Sequence, residues 1–340
     1  MITRAYGGRT TLWYYAGAWE LTFPVFLDAP AVKRYNWRLV FLPILEELQM
    51  HEAIKKANAL IEAMEYIRQF KGKIVVVKLG GSILDDTELQ KKLLADVAFM
   101  ATVGIHPVIV HGGGKAINRA MDDAGIEPTW VQGQRYTDKR TLAIVEHTLI
   151  NTVNKPICDV LNGMGFDAMG LHSLSSCVLF AQQLRLEGEN GRKLDLGLVG
   201  EIFKINSRLV ETLCAAGTIP VIAPVAIEKT GGKLNVNADS AAGKLAAGIK
   251  AEKLIVLSDT NGILRNIKDP ESRISSVNEN DIKKLIADGT INSGMMPKVQ
   301  ACLDAIDGGV KKAHIIDGRT EHSLLLEIYT DKGVGTQIVK

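Results

Sequence analysis

The chain has 340 residues, a formal net charge of +2, 46% hydrophobic residues and 23% charged residues. These fractions are ordinary for a globular protein and exclude a disordered, collagen-like or repeat-rich polypeptide. The near-zero net charge and the lack of a dense Lys/Arg run argue against a dedicated nucleic-acid-binding protein. No apolar run reaches the ~18 residues that a membrane helix needs.

The cysteines are far apart in the sequence and form no CxxC motif; they are Cys158, Cys177, Cys214 and Cys302. This spacing indicates neither a disulfide framework nor a zinc site. Free cysteines fit a reducing compartment, so we expect a cytoplasmic protein.

The first 49 residues differ from the rest, because they hold ten of the 19 aromatic residues and show no sustained helical or strand periodicity. Charged residues interrupt any apolar core of a signal peptide, and the absence of serine argues against a transit peptide. We expect residues 1–49 to be an atypical extension upstream of a native start at Met50. The alternative is a genuine small N-terminal element.

Residues 51–70 carry apolar side chains at three- and four-residue spacing, which predicts an amphipathic helix. Short apolar runs rich in β-branched residues predict buried strands; they lie at 73–79, 107–110, 219–223, 254–257 and 314–316. Helical patterns fill the intervals, at 87–103, 116–124, 141–162, 207–216, 239–249, 279–288 and 296–307. This alternation predicts parallel βαβ units and a three-layer α/β fold.

Residues 164–205 interrupt the alternation. Apolar runs at 177–181 and 198–205 flank a polar stretch at 187–193. We interpret this region as β-hairpin structure inserted into the α/β sheet.

Glycine-rich stretches follow the first two predicted strands, KLGGS at 78–82 and HGGG at 111–114. Ligands of parallel α/β sheets bind at the carboxyl ends of the strands, where glycines expose backbone N–H groups. A following helix N-terminus adds positive potential, so the two loops predict an anion site, to which Lys78 adds a full charge. Taken singly, each loop is equally well explained as a tight strand–helix turn.

Three further motifs are NVNAD at 235–239, LSDTNGIL at 257–264 and SGMMPK at 293–298. Taken alone, Asp239 is explained as a helix N-cap, and Lys298 as a solvated surface lysine.

In this order, KLGGS, HGGG, GQRYTD, NVNAD, LSDTNGIL and GMMPKV closely resemble the motifs of the amino-acid kinase family, over about residues 51–340. The resemblance is to members that phosphorylate the side-chain carboxylate of N-acetyl-L-glutamate in arginine biosynthesis. It implies an αβα sandwich with an open, mainly parallel eight-stranded sheet, and ATP with Mg²⁺ as the phosphoryl donor. It implies an oligomerisation helix at 50–71, an acceptor-binding and dimerisation half at 72–225, and an ATP-binding half with an arginine site at 226–340.

The resemblance also implies roles for single residues, and no side-chain metal ligand is among them. Lys78 and Lys298 would stabilise the phosphoryl group in flight, and Asp239 would orient both lysines. Arg135 would pair with the α-carboxylate of the acceptor, which Asn235 would also bind. Backbone N–H groups that would hold the transferred phosphate and the acceptor carboxylate belong to Gly81, Gly113 and Gly114. Residues implied for the nucleotide are Ser258, Asp259, Asn261, Gly262, Leu264, Met296 and Lys298.

The chemistry of the acceptor supports these roles. A side-chain carboxylate is already ionised at neutral pH, so the reaction needs no general base. Its barrier is the approach of an anionic oxygen to an anionic phosphate, which ammonium groups, Mg²⁺ and backbone dipoles can neutralise.

One stretch departs from the family pattern. Residues 170–177 read GLHSLSSC where common members carry a GLSGKDG-like sequence. We interpret His172 and Cys177 as structural rather than catalytic.

Two features resemble arginine-inhibited members of the family. Their N-terminal helix interlaces dimers into a ring-like hexamer, a trimer of dimers, and their arginine-site signature resembles residues 314–336 here. The implied arginine-site residues are Glu327, Gly333 and Gly335, although Glu327 alone would be explained as a surface carboxylate. We expect feedback inhibition by L-arginine; binding of the nitrogen regulator PII, known in the family, stays open.

Two alternatives remain open at this point. A kinase for an N-acyl or carrier-linked α-aminoadipate differs by one methylene, which a pocket discriminates by only ~1–3 kcal/mol. A non-catalytic arginine-sensing protein is the other, and the retention of Lys78, Lys298 and Asp239 argues against it.

Overall fold

In a computed structural model, the described backbone comprises residues 2–6, 9–16, 19–21, 27–28, 37–188, 193–292, 294–329 and 333–340, with side chains described from Met50 onward except that of Ser82. The chain divides into two compact units, Met1–Glu62 and Ala63–Lys340. Among the described residues, no helix has the length and apolar character required to cross a membrane.

The described residues of the N-terminal unit form the strands β1 (Ile2–Tyr6), β2 (Arg9–Ala16), β3 (Trp19–Leu21) and β4 (Leu27–Asp28). Strand β2 pairs antiparallel with each of the other three. Helix α1 runs from Trp37 to Phe70 and ends in the second unit.

The predicted helix over 51–70 is therefore confirmed, but its predicted start is too late. Residues 45–49 are Leu, Glu and Gln, which favour helix, and the aromatic-rich composition before them obscured this signal. A native start at Met50 stays a prediction, since the side chains of residues 1–49 lie outside the described part of the chain.

The second unit contains the remaining described strands, which are β5 (Ile74–Leu79), β6 (His106–His111), β7 (Trp130–Val131), β8 (Gln134–Arg135), β9 (Ala168–Leu171), β10 (Leu179–Gln183), β11 (Leu186–Glu187), β12 (Lys193–Leu194), β13 (Gly200–Ile205), β14 (Ile219–Ile222), β15 (Val225–Glu228), β16 (Lys233–Asn235), β17 (Lys253–Ser258), β18 (Ser276–Val277), β19 (Lys312–Asp317) and β20 (Thr336–Ile338). Its further α-helices are α2 (Thr87–Thr102), α3 (Gly114–Asp123), α4 (Lys139–His147), α5 (Lys155–Gly163), α6 (Ser207–Ala215), α7 (Ala238–Gly248), α8 (Glu279–Ala287), α9 (Met296–Asp307) and α10 (Ser323–Tyr329). Short 3₁₀ helices lie at Gly81–Leu84 and Pro270–Ser272, and a π-helical segment spans Thr148–Asn154.

An eight-stranded sheet forms the centre of this unit, in the order β18-β20-β19-β17-β5-β6-β14-β9. Neighbouring strands are parallel except for the antiparallel pair β19–β20. Successive residues of β5 pack into different cores, Val76 on one face of the sheet and Val75 and Val77 on the other. Burial on both faces explains the continuous β-branched run, and the predicted three-layer α/β fold is confirmed.

The predicted hairpin is present as the antiparallel pair β10–β13. It belongs to a separate four-stranded sheet, β13-β10-β15-β16, rather than to the central sheet, because β10 also pairs with β15. Strands β11 and β12 form a smaller hairpin, and residues 189–192 between them lie outside the described part of the chain.

The continuous helix predicted over 141–162 is wrong in one respect. Helices α4 and α5 are joined by the π-helical segment, which ends just before α5. Pro156 lacks the N–H that an α-helix would donate to the carbonyl of Thr152, and its ring crowds that carbonyl, which favours the wider π turn.

Candidate active site

The two glycine-rich loops meet, because β5 and β6 are adjacent parallel strands and Leu79 lies opposite His111. The Gly112 N–H donates to the carbonyl oxygen of Leu79 at 2.8 Å. A Cβ placed on Gly112 would lie 3.9 Å from the Cα of Gly80 and 3.9 Å from the Cβ of Ala238, at the start of α7. Three elements therefore converge here: both loops and the N-terminus of α7.

Lys78 and Asp239 form a buried ion pair at this convergence. Lys78 Nζ lies 2.8 Å from Asp239 Oδ1, and the two residues are 5% and 7% exposed. Among the described groups Asp239 Oδ1 has no well-aligned hydrogen-bond donor, so charge rather than one directed hydrogen bond holds the ammonium group. A Cβ at position 80 would lie 2.3 Å from Lys78 Nζ, so any residue other than glycine would displace the ammonium group from this position.

Asp239 is not the N-cap of α7. Asn237 is the cap, and its side-chain oxygen accepts from the N–H groups of Asp239 and Ser240 at 2.9 and 3.1 Å. Asp239 lies in the first turn, where the helix dipole favours a negative charge. The cap leaves the Asp239 carboxylate available to Lys78.

Lys298 lies in the first turn of α9, beside α7, since Gly243 of α7 packs directly on the backbone of Ala301. Its Nζ donates to the carbonyl oxygen of Gly294 at 3.3 Å. The structure thus pairs Asp239 with Lys78, and the role of Asp239 in orienting Lys298 stays a prediction.

Lys298 is one wall of a cavity of about 470 Å³. The predicted nucleotide residues that line this cavity are Ser258, Asp259, Gly262, Leu264 and Lys298. Met296 packs instead against the hydrophobic core, and Asn261 lies between two lining residues without lining the cavity itself. Further lining residues that sequence reasoning did not assign to the nucleotide include Gly289, Thr290, Asn292 and Met295. Gly289 and Asn292 follow the predicted helix at 279–288, and this turn signal could have indicated that the chain lines a cavity here.

Arg135 is buried on β8, at 6% exposure, and its described partners are all neutral. Its guanidinium donates to Asn118 Oδ1 at 2.5 Å, to Met121 Sδ at 3.2 Å and to the Gly114 carbonyl at 3.4 Å. The ring of Trp130 covers it, with 4.6 Å from Cζ to the ring centroid. Burial lowers the pKa of this guanidinium, which nevertheless stays charged. Arg135 therefore presents an uncompensated positive charge beside the loop that starts α3.

Asn235 is linked to Arg135 through Thr137, a buried residue that sequence reasoning missed. Asn235 Nδ2 donates to Thr137 Oγ1 at 3.1 Å, and that hydroxyl donates to the Arg135 carbonyl at 2.9 Å. The strand β16 thereby joins the same site. The signal for Thr137 was present in the motif GQRYTD.

The backbone adds hydrogen-bond donors to the predicted anion site. Gly113 precedes α3 as a cap without a side chain, so the N–H groups of Gly113 and Gly114 are among the free donors of a helix start. Gly81, with a φ of +57°, turns the chain after β5. Arg135 and these backbone donors therefore give a positive region at the start of α3, and Lys78 lies at the neighbouring loop, paired with Asp239.

The variant stretch at 170–177 is tied to its surroundings. Ser173 Oγ donates to the Glu146 carboxylate, which also lies 2.6 Å from Lys233 Nζ. Cys177 Sγ donates to the Leu179 carbonyl at 2.9 Å, and burial raises its thiol pKa. These contacts support the interpretation of Cys177 as structural.

A second buried polar cluster lies near the C-terminus. Glu327, on α10, is 5% exposed; it pairs with His314 Nδ1 and accepts from the Val334 N–H at 2.9 Å. Burial opposes its ionisation, but His314, the Val334 N–H and the charge of Lys253 together outweigh burial and hold the Glu327 pKa below its usual range. The explanation of Glu327 as a surface carboxylate is therefore wrong.

Lys253 belongs to the same cluster and is also buried. Burial lowers the pKa of Lys253 to about 8, and its Nζ lies 5.3 Å from the ring centroid of Phe70. A Cβ on Gly333 would lie 3.0 Å from Glu327 Oε2, whereas one on Gly335 would meet the backbone of β19. Gly333 thus borders the cluster, and Gly335 packs against the strand.

Comparison with known proteins gives consistent results. The model of the amino acid kinase family matches residues 73–317. An acetylglutamate kinase from Heliobacterium modesticaldum is 45% identical over 295 residues, which are 86% of this chain and 100% of the relative. One from Caldanaerobacter subterraneus subsp. tengcongensis is 47% identical over 289 residues, 85% of this chain and 95% of the relative.

Among solved structures, the N-acetylglutamate synthase from Neisseria gonorrhoeae, complexed with coenzyme A and N-acetyl-glutamate, superposes with a TM-score of 0.73 at 26% identity. The match covers 84% of this chain but only 63% of the synthase, so this chain spans less than two thirds of that protein.

Proposed function

The chain belongs to the amino acid kinase family and is a kinase, and we propose that it transfers the γ-phosphoryl group of ATP to the side-chain carboxylate of N-acetyl-L-glutamate, in arginine biosynthesis. The observation that carries this proposal is the Lys78–Asp239 ion pair where both glycine loops and α7 meet. The pair is neutral overall, but it would hold the Lys78 ammonium where phosphoryl transfer between two anions needs a cation.

The acceptor fits the positive region around Arg135. A guanidinium with only neutral partners favours a bidentate carboxylate ligand, here the α-carboxylate. Because the Arg135 guanidinium donates to the Gly114 carbonyl, that ligand would lie beside the start of α3. The side-chain carboxylate of the same acceptor then reaches the N–H groups of Gly113 and Gly114.

The donor fits the cavity between Ser258 and Lys298, which has room for a nucleotide. Lys298 would meet the phosphates from this side, and Lys78 from the strand side. Among the described side chains, no group of three or more His, Cys, Asp or Glu is placed to hold a metal ion. This donor set fits Mg²⁺ entering as part of MgATP, with phosphate oxygens and water as its main ligands.

A general base is unnecessary, because the acceptor carboxylate is already ionised. Lys78 neutralises charge on the group in transfer, Asp239 keeps the Lys78 ammonium in place, and the backbone donors orient the reacting oxygens. Catalysis thus rests on position and electrostatics.

The test is the trapping of acyl phosphate as hydroxamate with ATP and two acceptors, N-acetyl-L-glutamate and N-acetyl-α-aminoadipate. The proposal expects a clear preference for the glutamate derivative, of about 10-fold or more, as one methylene allows. A preference for the aminoadipate derivative would show that the acceptor is an α-aminoadipate derivative instead. Absence of hydroxamate with both acceptors would refute the proposed reaction.

We further propose inhibition by L-arginine at the cluster of Glu327, Lys253 and His314. A buried carboxylate that borders Gly333 is suited to a guanidinium or an ammonium group. Arginine would act by binding one assembly state more tightly than another.

The proposed assembly is a hexamer linked through α1. Removing residues 1–62 deletes the first compact unit and keeps the second one whole. We expect this variant to form dimers in analytical ultracentrifugation and to lose arginine inhibition while keeping its kinase activity. Unchanged sensitivity to arginine would separate inhibition from α1.

A further inference from the structure

His111 is a fully buried histidine that the proposed reaction does not use. It is the last residue of β6, directly before the glycines. Its Nδ1 lies 2.8 Å from the carbonyl oxygen of Gly112, and its Nε2 lies 3.0 Å from Asn154 Nδ2. Asn154 Nδ2 also donates to the carbonyl oxygen of Val221 at 2.9 Å, and Asn154 is itself buried.

These contacts define the protonation of the ring. The Val221 carbonyl can only accept, which fixes Asn154 Nδ2 as the amide nitrogen. The Asn154 amide therefore donates to His111 Nε2, and His111 Nδ1 carries the proton that is donated to Gly112. Burial lowers the pKa of His111 to about 4, which agrees with a neutral ring.

The hydrogen bond to Gly112 fixes the direction of one peptide plane. In a trans peptide the carbonyl oxygen of one residue and the N–H of the next point to opposite sides, and none of the described peptide bonds is cis. Since the Gly112 oxygen is held against His111, the Gly113 N–H must point away from His111. Gly113 and then Gly114 are the backbone donors at the start of α3.

The π-helical segment packs against the glycine loop that follows His111. Asn154 is its last residue, and its Leu149 and Val153 pack under the loop. A Cβ on Gly113 would lie 2.6 Å from Leu149 Cδ2 and 3.4 Å from Val153 Cγ2. The widened helical turn therefore places Leu149 and Val153 against the loop and the Asn154 amide against His111. Such π turns are frequent at functional sites.

We propose that His111 and Asn154 are positioning residues that fix the Gly112–Gly113 peptide, so that the N–H groups of Gly113 and Gly114 face the transferred phosphoryl group. Both side chains are buried, His111 at 0% and Asn154 at 2% exposure, so they would act through the loop and not by touching a substrate. The inference rests on the proposed function, because it assigns the direction of donors that the phosphoryl transfer uses.

The test compares two substitutions of His111. In His111→Asn the side-chain amide nitrogen occupies about the position of Nδ1 and can still donate to Gly112. In His111→Gln the amide reaches the position of Nε2, which keeps the contact with Asn154 but loses the donor to Gly112. His147→Gln, at an exposed histidine of α4, is the matched control.

We expect His111→Gln to lower kcat by about 10²-fold, the effect of an ångström-scale misplacement of reacting groups. His111→Asn should keep kcat within about fivefold of the original protein. The two variants should have similar KM values for ATP and similar melting temperatures. If His111 were only structural, His111→Gln would lower the stability of the protein without lowering kcat separately from KM. His111→Asn would then not restore kcat.

A second measurement does not depend on the substrate. ¹⁵N NMR of the histidine rings at pH 7 should show a neutral His111 protonated at Nδ1, assigned by its loss in His111→Asn. A ring protonated at Nε2 would overturn the inference, and so would equal kcat values for the two variants. Failure of the original enzyme to form acyl phosphate refutes the proposed function instead and leaves the NMR result to decide the arrangement.

Discussion

Lys78 on β5 and Asp239 on α7 form an ion pair with 2.8 Å between Nζ and Oδ1, with both side chains almost fully buried. Removing an isolated charge from water is costly, and a buried pair recovers this cost only partly. The pair is therefore poor evidence of stability and better evidence of a site where charge is needed. It connects the strand that carries the first glycine loop to α7, which packs against the helix that carries Lys298.

Lys78→Ala should lower kcat by about 10²–10³-fold, the scale of losing one preorganised donor to a developing charge. The KM for ATP should change little, because the lysine acts mainly on the group in transfer. Steady-state kinetics of acyl phosphate formation measure both. Lys73→Ala, at an exposed lysine just before the same strand, is the control and should keep full activity. Equal kcat values for the two variants would remove Lys78 from the reaction.

Asp239→Asn should lower both the free energy of unfolding and kcat. Breaking a buried pair on one side costs about 3–5 kcal/mol, since the Lys78 ammonium stays buried without its counter-ion. The double variant Lys78→Met, Asp239→Leu removes both charges and should regain most of the stability but none of the activity. Denaturant unfolding combined with kinetics checks this. Recovery of activity in the double variant would show that the pair is structural only.

Arg135→Lys should raise the KM for N-acetyl-L-glutamate by about 10–100-fold, because an ammonium group cannot form the bidentate contact with a carboxylate. The KM for ATP should change less than twofold. Arg140→Lys is the control, at an exposed arginine that donates to the Ala124 carbonyl. If both KM values rose together, Arg135 would support the fold of the site rather than bind the acceptor.

Glu327→Gln should abolish inhibition by L-arginine and leave kcat unchanged, because the cluster lies apart from the glycine loops. Inhibition curves with and without the substitution give the result directly. Glu321→Gln alters an exposed carboxylate just before the same helix and should keep the original inhibition. Normal inhibition in Glu327→Gln would place the arginine site elsewhere.

His111 should make the protein sensitive to acid. Its pKa is about 4 in the folded chain against an ordinary value of 6.5, so the unfolded state binds more protons between these values. Stability is therefore complete above pH 6.5 and falls as the pH drops toward 4, by up to ~3 kcal/mol for this group. His111→Asn should lose ~2 kcal/mol less than the original between pH 8 and pH 5, measured by denaturant unfolding. An identical loss in both proteins would contradict the buried neutral ring.

The central strands could be predicted from sequence because burial on both faces selects continuous β-branched residues, as in β5 and β17. Short edge elements such as β18 and β20 carry too few residues to show a period. The π turn was hidden for a different reason: Pro156 inside the predicted helix indicates a disturbed hydrogen bond, but not whether the chain kinks, breaks or widens into a π turn.

The local parts of the candidate site could be predicted from the sequence, whereas contacts between residues distant in the chain could not. Glycine loops are local patterns, and their adjacency follows from parallel strands. The contact between Lys78 and Asp239 joins residues distant in the chain, so only the family resemblance could suggest it. Glu327 illustrates the opposite failure, since a single carboxylate in a sequence is most often exposed.

The most direct measurement follows the phosphoryl group itself, with γ-³²P-labelled ATP, N-acetyl-L-glutamate and either the original protein or Lys78→Ala in rapid-quench experiments. The account predicts label in a hydroxylamine-sensitive acyl phosphate, formed about 10²–10³-fold more slowly by the variant. Label released only as inorganic phosphate, or equal rates in both proteins, would contradict it.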